Sequence, residues 1–173
     1  MPQDFLENGN LYPGIHQYNI EEFEQQFVRD FTGSTQRPII YENFKYWLGQ
    51  LLQIKVPRYI WLDGSFLTRK LDPNDIDLVV FYGPEDIESE EEAEKILYII
   101  SNLSREFRCD AYFCLTFKHW DEAEQQRVDP NQATRETYWM GQFAFDRSRE
   151  PKGMVEIMKD ELLSKMMIGG IAS

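Results

Sequence analysis

The chain has 173 residues, enough for one domain whose core needs no disulfide or structural metal. Thirty acidic residues against 18 basic ones give a formal net charge of −12, which argues against a broad surface for nucleic-acid phosphates but allows a local basic pocket. The apolar runs are far shorter than the roughly 18 residues of a membrane helix, so we expect no membrane span. The first residues lack the basic and apolar regions of a signal peptide, and only two cysteines occur, so we expect a cytoplasmic protein.

The first third of the chain predicts an irregular segment followed by two helices. Residues 1–18 are interrupted by glycine and proline, and we expect an irregular segment that packs on the domain surface. Apolar residues at helical spacing predict a first helix from Ile20 to Phe31, preceded by a capping-box pattern at Asn19. The same spacing predicts a second helix from Pro38 that ends before Pro57.

Apolar stretches rich in β-favouring residues predict the strands of a sheet. They span residues 58–63, 75–82, 107–117 and 154–158. Helical patterns lie between and after them, with no internal repeat and no linker. This order predicts one α/β (α+β) domain over residues 1–173.

Three further helices are expected in the second half of the chain. One begins at a Ser89 cap, after a run of acids that we interpret as the solvated start of a helix. Another covers residues 132–143, and a short helix over residues 161–168 closes the chain. We expect the second of these to bury its aromatic residues, Tyr138, Trp139 and Phe143.

The strongest chemical signal is a pair of acids at the start of the second predicted strand. Asp75 and Asp77 lie two residues apart, so in a strand their side chains point to the same face. Adjacent like charges are unfavourable unless a cation lies between them, and carboxylate oxygens are preferred ligands of Mg²⁺. The pair therefore predicts a site for Mg²⁺ or Mn²⁺.

Nearby residues fit a phosphate ligand beside such a metal. Gly64 allows close approach of the backbone, and Ser65 adds a hydroxyl where we expect a short helical turn. Asp110 heads the third strand and is a candidate third metal ligand and general base. Taken singly, each of these residues also fits an ordinary turn or a solvated strand end.

Together these residues resemble the nucleotidyltransferase superfamily of the polymerase-beta type. The family pattern is an apolar strand, Gly-Ser, a short spacer, Asp-x-Asp in a second apolar strand, and a later acid on a neighbouring strand. The matching residues fall within about residues 58–115 and are Gly64-Ser65, nine intervening residues, Asp75-Ile76-Asp77 and Asp110. The chain resembles more fully an uncharacterised family of small nucleotidyltransferase-like proteins, through Pro13-Gly14-Ile15-His16, Gly64-Ser65-Phe66 and Pro73-Asn74-Asp75-Ile76-Asp77.

The resemblance implies a mixed sheet flanked by helices and transfer of an NMP group from an NTP, such as ATP, to a protein, RNA or small-molecule acceptor. It implies that catalysis and Mg²⁺ (or Mn²⁺) binding depend on three acids, Asp75, Asp77 and Asp110. It also implies nucleotide binding at Gly64 and Ser65. Arg69 and Lys70 are further candidates for phosphate contacts, although the family pattern does not fix them.

Three alternatives stay open at the level of sequence. The small size and acidity also fit a non-catalytic protein of the same fold that docks on a basic protein partner, for instance in a toxin–antitoxin or phage-defence pair. The loop with Arg147, Arg149 and Lys152 fits either a phosphate or acidic-partner contact or an exposed loop. His16 fits either a packed residue or a contact to substrate.

Overall fold

Five strands form one mixed sheet at the centre of the protein. They are β1 (Gly14–Gln17), β2 (Tyr59–Asp63), β3 (Ile76–Tyr82), β4 (Cys109–Leu115) and β5 (Gly153–Met158). Their order across the sheet is β1-β5-β2-β3-β4. The pairs β1–β5 and β3–β4 are parallel, whereas β2 is antiparallel to both of its neighbours. This computed structural model describes residues 2–168, with side chains through residue 164, and it confirms the predicted α/β (α+β) class.

Helices flank the sheet and connect its strands. They are α1 (Ile20–Glu24), α2 (Gln36–Ile54), α3 (Glu90–Tyr98), α4 (Ser104–Glu106), α5 (Glu122–Gln125), α6 (Pro130–Ala133), α7 (Arg135–Phe143) and α8 (Lys159–Ile168). A π-helical segment follows α1 and another joins α3 to α4. The predicted capping box at Asn19 is confirmed, because its side chain accepts from the Glu22 amide and Glu22 accepts from the Asn19 amide. None of the helices within residues 2–168 is both long and apolar enough to cross a membrane.

Alternation along the strands divides the apolar residues between the two faces of the sheet. One face carries Ile60, Leu62, Leu78 and Val80, which join the larger core with buried residues of α1, α2, α3 and α8. The other face carries a smaller cluster with the aromatic rings of Tyr59, Trp61 and Phe81, against which α7 packs Phe143. The protein therefore has three layers: the helices of the larger core, the sheet, and a thinner outer layer that includes α7.

Two expectations about local structure are corrected. Residues 14–17 form β1 rather than irregular chain, because they pair with the parallel strand β5, a partner that lies far away in sequence. Tyr138 is not buried but 56% exposed. In α7 the residues one turn apart, Trp139 and Phe143, face the sheet, and Tyr138 falls beside that stripe.

A buried arginine fixes the loop that follows β2. Arg37, in the first turn of α2, donates at 2.6–3.2 Å to five backbone carbonyls, those of Phe27, Phe66, Thr68, Lys70 and Leu71. Burial lowers the pKa of Arg37 to about 10, against the opposing charge of Asp72, so the side chain remains charged at neutral pH. Because four of these carbonyls follow Ser65, α2 determines the course of the loop that leads from β2 to β3.

Arg37→Ala should lower the free energy of unfolding by at least about 3 kcal/mol, because it leaves several carbonyls without a donor and opens a cavity. Urea unfolding measures this change. Arg37→Lys keeps the charge but reaches fewer carbonyls, so its loss should be smaller. Arg29→Ala removes a surface ion pair with Glu24 and should change stability by less than about 1 kcal/mol. Equal, small losses for Arg37→Ala and Arg29→Ala would contradict the bracing role.

Candidate functional site

Three neighbouring strands each place an aspartate at the same level of the sheet. Asp63 at the end of β2 lies opposite Asp77 of β3, and Asp77 lies opposite Asp110 of β4. Directly opposed residues share a face, so we call these three residues the aspartate row. The row lies on the face that also carries Trp61 and Val79. Asp75 precedes β3 by one residue and is exposed beside the row.

The aspartate row lines a cavity of about 760 Å³. Gly64, Ser65 and Lys70 also line it, as does Asp75, so six of the seven predicted site residues share one cavity. Further lining residues come from α7 and the loop that leads to β5, and they include Trp139, Gln142, Phe143, Phe145, Arg147, Ser148 and Lys152. The structure therefore brings together acids, a Gly-Ser turn and cationic side chains from segments far apart in sequence.

Gly64 is required where the turn after β2 passes Asp77. Its φ of +80° lies in the left-handed region, and a Cβ built on it would stand 1.8 Å from Asp77 Oδ2. Only glycine therefore allows the turn to approach that carboxylate. The helical turn expected after it is present as a 3₁₀ turn over Ser65–Leu67. The Ser65 hydroxyl has no hydrogen-bond partner within residues 2–168 and is available to a ligand at the cavity wall.

Arg69 lies outside the cavity, in contrast to its predicted role as a phosphate contact. Its amide donates to the Gly9 carbonyl at 2.9 Å, and its guanidinium lies over the Phe5 ring, 5.8 Å from the centroid. The chain is extended at Thr68, so successive side chains point to opposite sides. Lys70 faces the cavity and Arg69 faces the N-terminal segment.

Asp77 occupies the least favourable electrostatic position in the row. Burial raises the pKa of Asp77 to about 6, and the charges of Asp75 and Asp110 add to this effect. Lys152 and Arg147 oppose the rise without cancelling it. At neutral pH the cavity therefore holds several carboxylates whose repulsion the nearby cations only partly offset.

Asp63 and Lys152 form a buried ion pair at one end of the row. Lys152 Nζ donates to Asp63 Oδ2 at 2.8 Å, and the two side chains are 11% and 4% exposed. Burial raises the pKa of Asp63 to about 7, although the Lys152 charge opposes this. The other oxygen, Asp63 Oδ1, is buried and accepts no hydrogen bond of normal geometry in the described structure. In the sequence Asp63 precedes Gly64 and fits a cap of that turn, and nothing there indicates the distant Lys152 as its partner.

The donor types fit a hard divalent cation, although no complete ligand set is preformed. Within residues 2–168, no three His, Cys, Asp or Glu side chains are arranged to hold a metal ion. Asp110 is already oriented, because the Tyr112 hydroxyl donates to its Oδ2 at 3.0 Å. Asp77 and Asp110, opposed on adjacent strands, are the pair best placed to share an ion, with Asp75 as an exposed third donor.

Two further candidates from the sequence, His16 and Arg149, lie outside the cavity. His16 Nε2 donates to the Tyr12 carbonyl at 2.7 Å, which favours a packed residue over a substrate contact. Arg149 does not line the cavity, whereas Arg147 and Lys152 from the same loop do. The acidic run before α3 is partly used in ion pairs, since Glu85 and Asp86 both contact Arg58.

The fold and the cavity define an α+β protein with an acidic cavity at one edge of a mixed sheet. By comparison with known families, the chain belongs to the "Family of unknown function (DUF6932)", whose model matches residues 3–158. No curated protein and no solved structure matches the chain. Its function must therefore be inferred from the residues of the cavity.

Asp77→Asn should make the metal-free protein more stable than the wild type, and increasingly so as pH rises. The folded pKa of Asp77, about 6, exceeds the ordinary value of 3.8. The stability that the protonated carboxyl of Asp77 contributes is therefore fully present when the pH is below the ordinary pKa. It is lost as the pH rises through about 6. Urea unfolding in EDTA should show the advantage of the variant growing by roughly 1–3 kcal/mol between about pH 4 and pH 7.

Glu94→Gln removes one exposed carboxylate of α3 and controls for the change in net charge. It should show no comparable trend. A constant difference between Asp77→Asn and the wild type across this pH range would contradict the electrostatic account.

Proposed function

We propose that this protein is a Mg²⁺-dependent nucleotidyltransferase that transfers an NMP group from an NTP to a hydroxyl of a protein, RNA or small-molecule acceptor. The observation that carries the proposal is the placement of Asp77 opposite Asp110 and against the turn at Gly64 in one cavity. A Gly-Ser turn beside paired carboxylates combines a phosphate contact with a cation site. The resemblance of this pattern to the polymerase-beta type of nucleotidyltransferase supports the same proposal.

Residues of the cavity have three roles in this reaction: metal ligand, phosphate contact and general base. Asp75, Asp77 and Asp110 would hold the divalent ion, which supplies positive charge at the phosphate oxygens. The backbone at Gly64 and the Ser65 hydroxyl contact the triphosphate, which the turn can approach closely because Gly64 has no Cβ.

Asp110 serves as the base. It accepts the proton of the acceptor hydroxyl as that oxygen attacks the α-phosphorus. The bond from the α-phosphorus to the bridging oxygen breaks, and pyrophosphate leaves with its electron pair. The Tyr112 hydroxyl positions Asp110 by donating to Oδ2.

A cytoplasmic location belongs to the same proposal, because NTPs and Mg²⁺ are available there. Both cysteines are free and buried, on opposite faces of β4. Free thiols are typical of a reducing compartment.

The activity should depend on the predicted carboxylates and not on acidity in general. Purified protein is incubated with each α-³²P-labelled NTP, Mg²⁺ or Mn²⁺, and separate protein, RNA and small-molecule fractions of a cell extract. Wild type should release pyrophosphate and label one fraction. Asp75→Asn, Asp77→Asn and Asp110→Asn should each lower the rate at least about a hundredfold. Glu94→Gln removes the same charge at an exposed position of α3 and should retain the wild-type rate.

Equal labelling by Asp77→Asn and wild type would contradict the proposal. If no fraction is labelled and a partner protein binds wild type and the Asp75→Asn/Asp77→Asn double variant at equal stoichiometry, the non-catalytic alternative is favoured instead.

A further inference from the structure

The loop between α7 and β5 is a braced element and not a loose connection. Asp146 Oδ1 accepts from the amides of Ser148 and Glu150 at 2.8 and 3.0 Å. Asp146 Oδ2 accepts from Asn10 Nδ2 at 2.9 Å, which ties the loop to the N-terminal segment. The Lys152 amide donates to the Ala144 carbonyl at 2.8 Å and closes the base of the loop.

This bracing directs the cations of the loop to different sides. Arg147 and Lys152 line the cavity with the aspartate row, whereas Arg149 does not. Arg149 adopts a φ of +66°, a left-handed conformation that turns the chain back toward β5. We call residues 145–152 the cationic loop.

The two cavity cations of this loop differ in how they are paired. Lys152 forms the buried ion pair with Asp63. Arg147 is exposed and forms no hydrogen bond or ion pair within residues 2–168. An unpaired arginine on the wall of a polar cavity has five N–H donors available to an anion.

The net charge of the cavity lining restricts which anion can bind there. Its acids are Asp63, Asp75, Asp77, Asp110 and Asp146, and its cations are Lys70, Arg147 and Lys152. Because acids outnumber cations, a free anion meets net repulsion. An anion bound to a divalent cation avoids this repulsion, because the cation faces the carboxylates while the anion faces Arg147 and Lys70.

We propose that the cationic loop binds the polyphosphate of a nucleoside triphosphate in complex with a divalent cation, with Arg147 as its direct contact. The proposal rests on the proposed function and adds a second phosphate-binding segment to the Gly-Ser turn. Lys70 lies in the segment after β2 and Arg147 in the loop before β5, and both line the cavity. A chain of several phosphates can contact more than one of these cations, so it suits the cavity better than a single phosphate. Polyphosphate and divalent cation should therefore strengthen each other's binding by the same factor.

Inorganic tripolyphosphate is the probe, because it lacks a nucleoside and cannot be turned over as a substrate. Isothermal titration with Mg²⁺ present measures its affinity for the full-length wild type, Arg147→Ala and Arg149→Ala. Arg147→Ala should weaken binding by about tenfold to a hundredfold, the effect of losing charge-assisted hydrogen bonds. Arg149→Ala removes the same charge two residues away and should weaken binding by less than about threefold. Removing Mg²⁺ with EDTA should weaken the binding of tripolyphosphate to the wild type at least as much as Arg147→Ala does.

The outcomes separate this inference from the proposed function. No binding of magnesium tripolyphosphate by wild type, or equal weakening by Arg147→Ala and Arg149→Ala, would overturn the inference. If Arg147→Ala labels the acceptor with the wild-type KM for NTP, the inference is overturned and the transferase proposal stands. Tripolyphosphate binding through Arg147 without any NMP transfer would support the cationic loop and contradict the transferase.

Discussion

Repulsion among the acids of the aspartate row is the constraint on which the candidate site depends. Asp77 lies between Asp63 and Asp110, and each comes from a different strand of one continuous sheet. Lys152 neutralises one end of the row by pairing with Asp63, but no comparable ion pair forms at Asp77 or Asp110 within the described residues. Neutral residues at these positions would relieve the repulsion. The proposed metal site accounts for repulsion that is otherwise left without compensation.

The surroundings of the row are rigid where a ligand would need fixed geometry. The buried side chain of Arg37 donates hydrogen bonds to carbonyls of the loop after Ser65, and these bonds fix the turn beside the acids. Gly64 brings that turn against Asp77. Asp146 braces the loop that carries Arg147. Asn10 joins the two segments, because it pairs with Thr68 and donates to Asp146. Such a fixed lining is what preorganised binding requires.

Sequence patterns predicted the parts of the site that depend on residues close together in the chain. Alternation placed Asp75 and Asp77 at the head of β3, and the Gly-Ser turn and Asp110 follow from strand boundaries. Contacts between distant segments were beyond such patterns. The pairing of β1 with β5 and of Asp63 with Lys152 depends on strand order in the sheet, which spacing does not encode. The role of Arg37 was also beyond them, because the predicted helix begins only at Pro38. The carbonyl partners of Arg37 come from the π-helical segment after α1 and from the chain between β2 and β3.

Anomalous diffraction from crystals grown with Mn²⁺ and a non-hydrolysable ATP analogue tests the central claim most directly. The account predicts a manganese peak bound by the carboxylates of Asp77 and Asp110, with the triphosphate between that ion and the turn at Gly64 and Ser65. An ordered analogue with no manganese at the aspartate row, or manganese bound only at other surface acids, would contradict it.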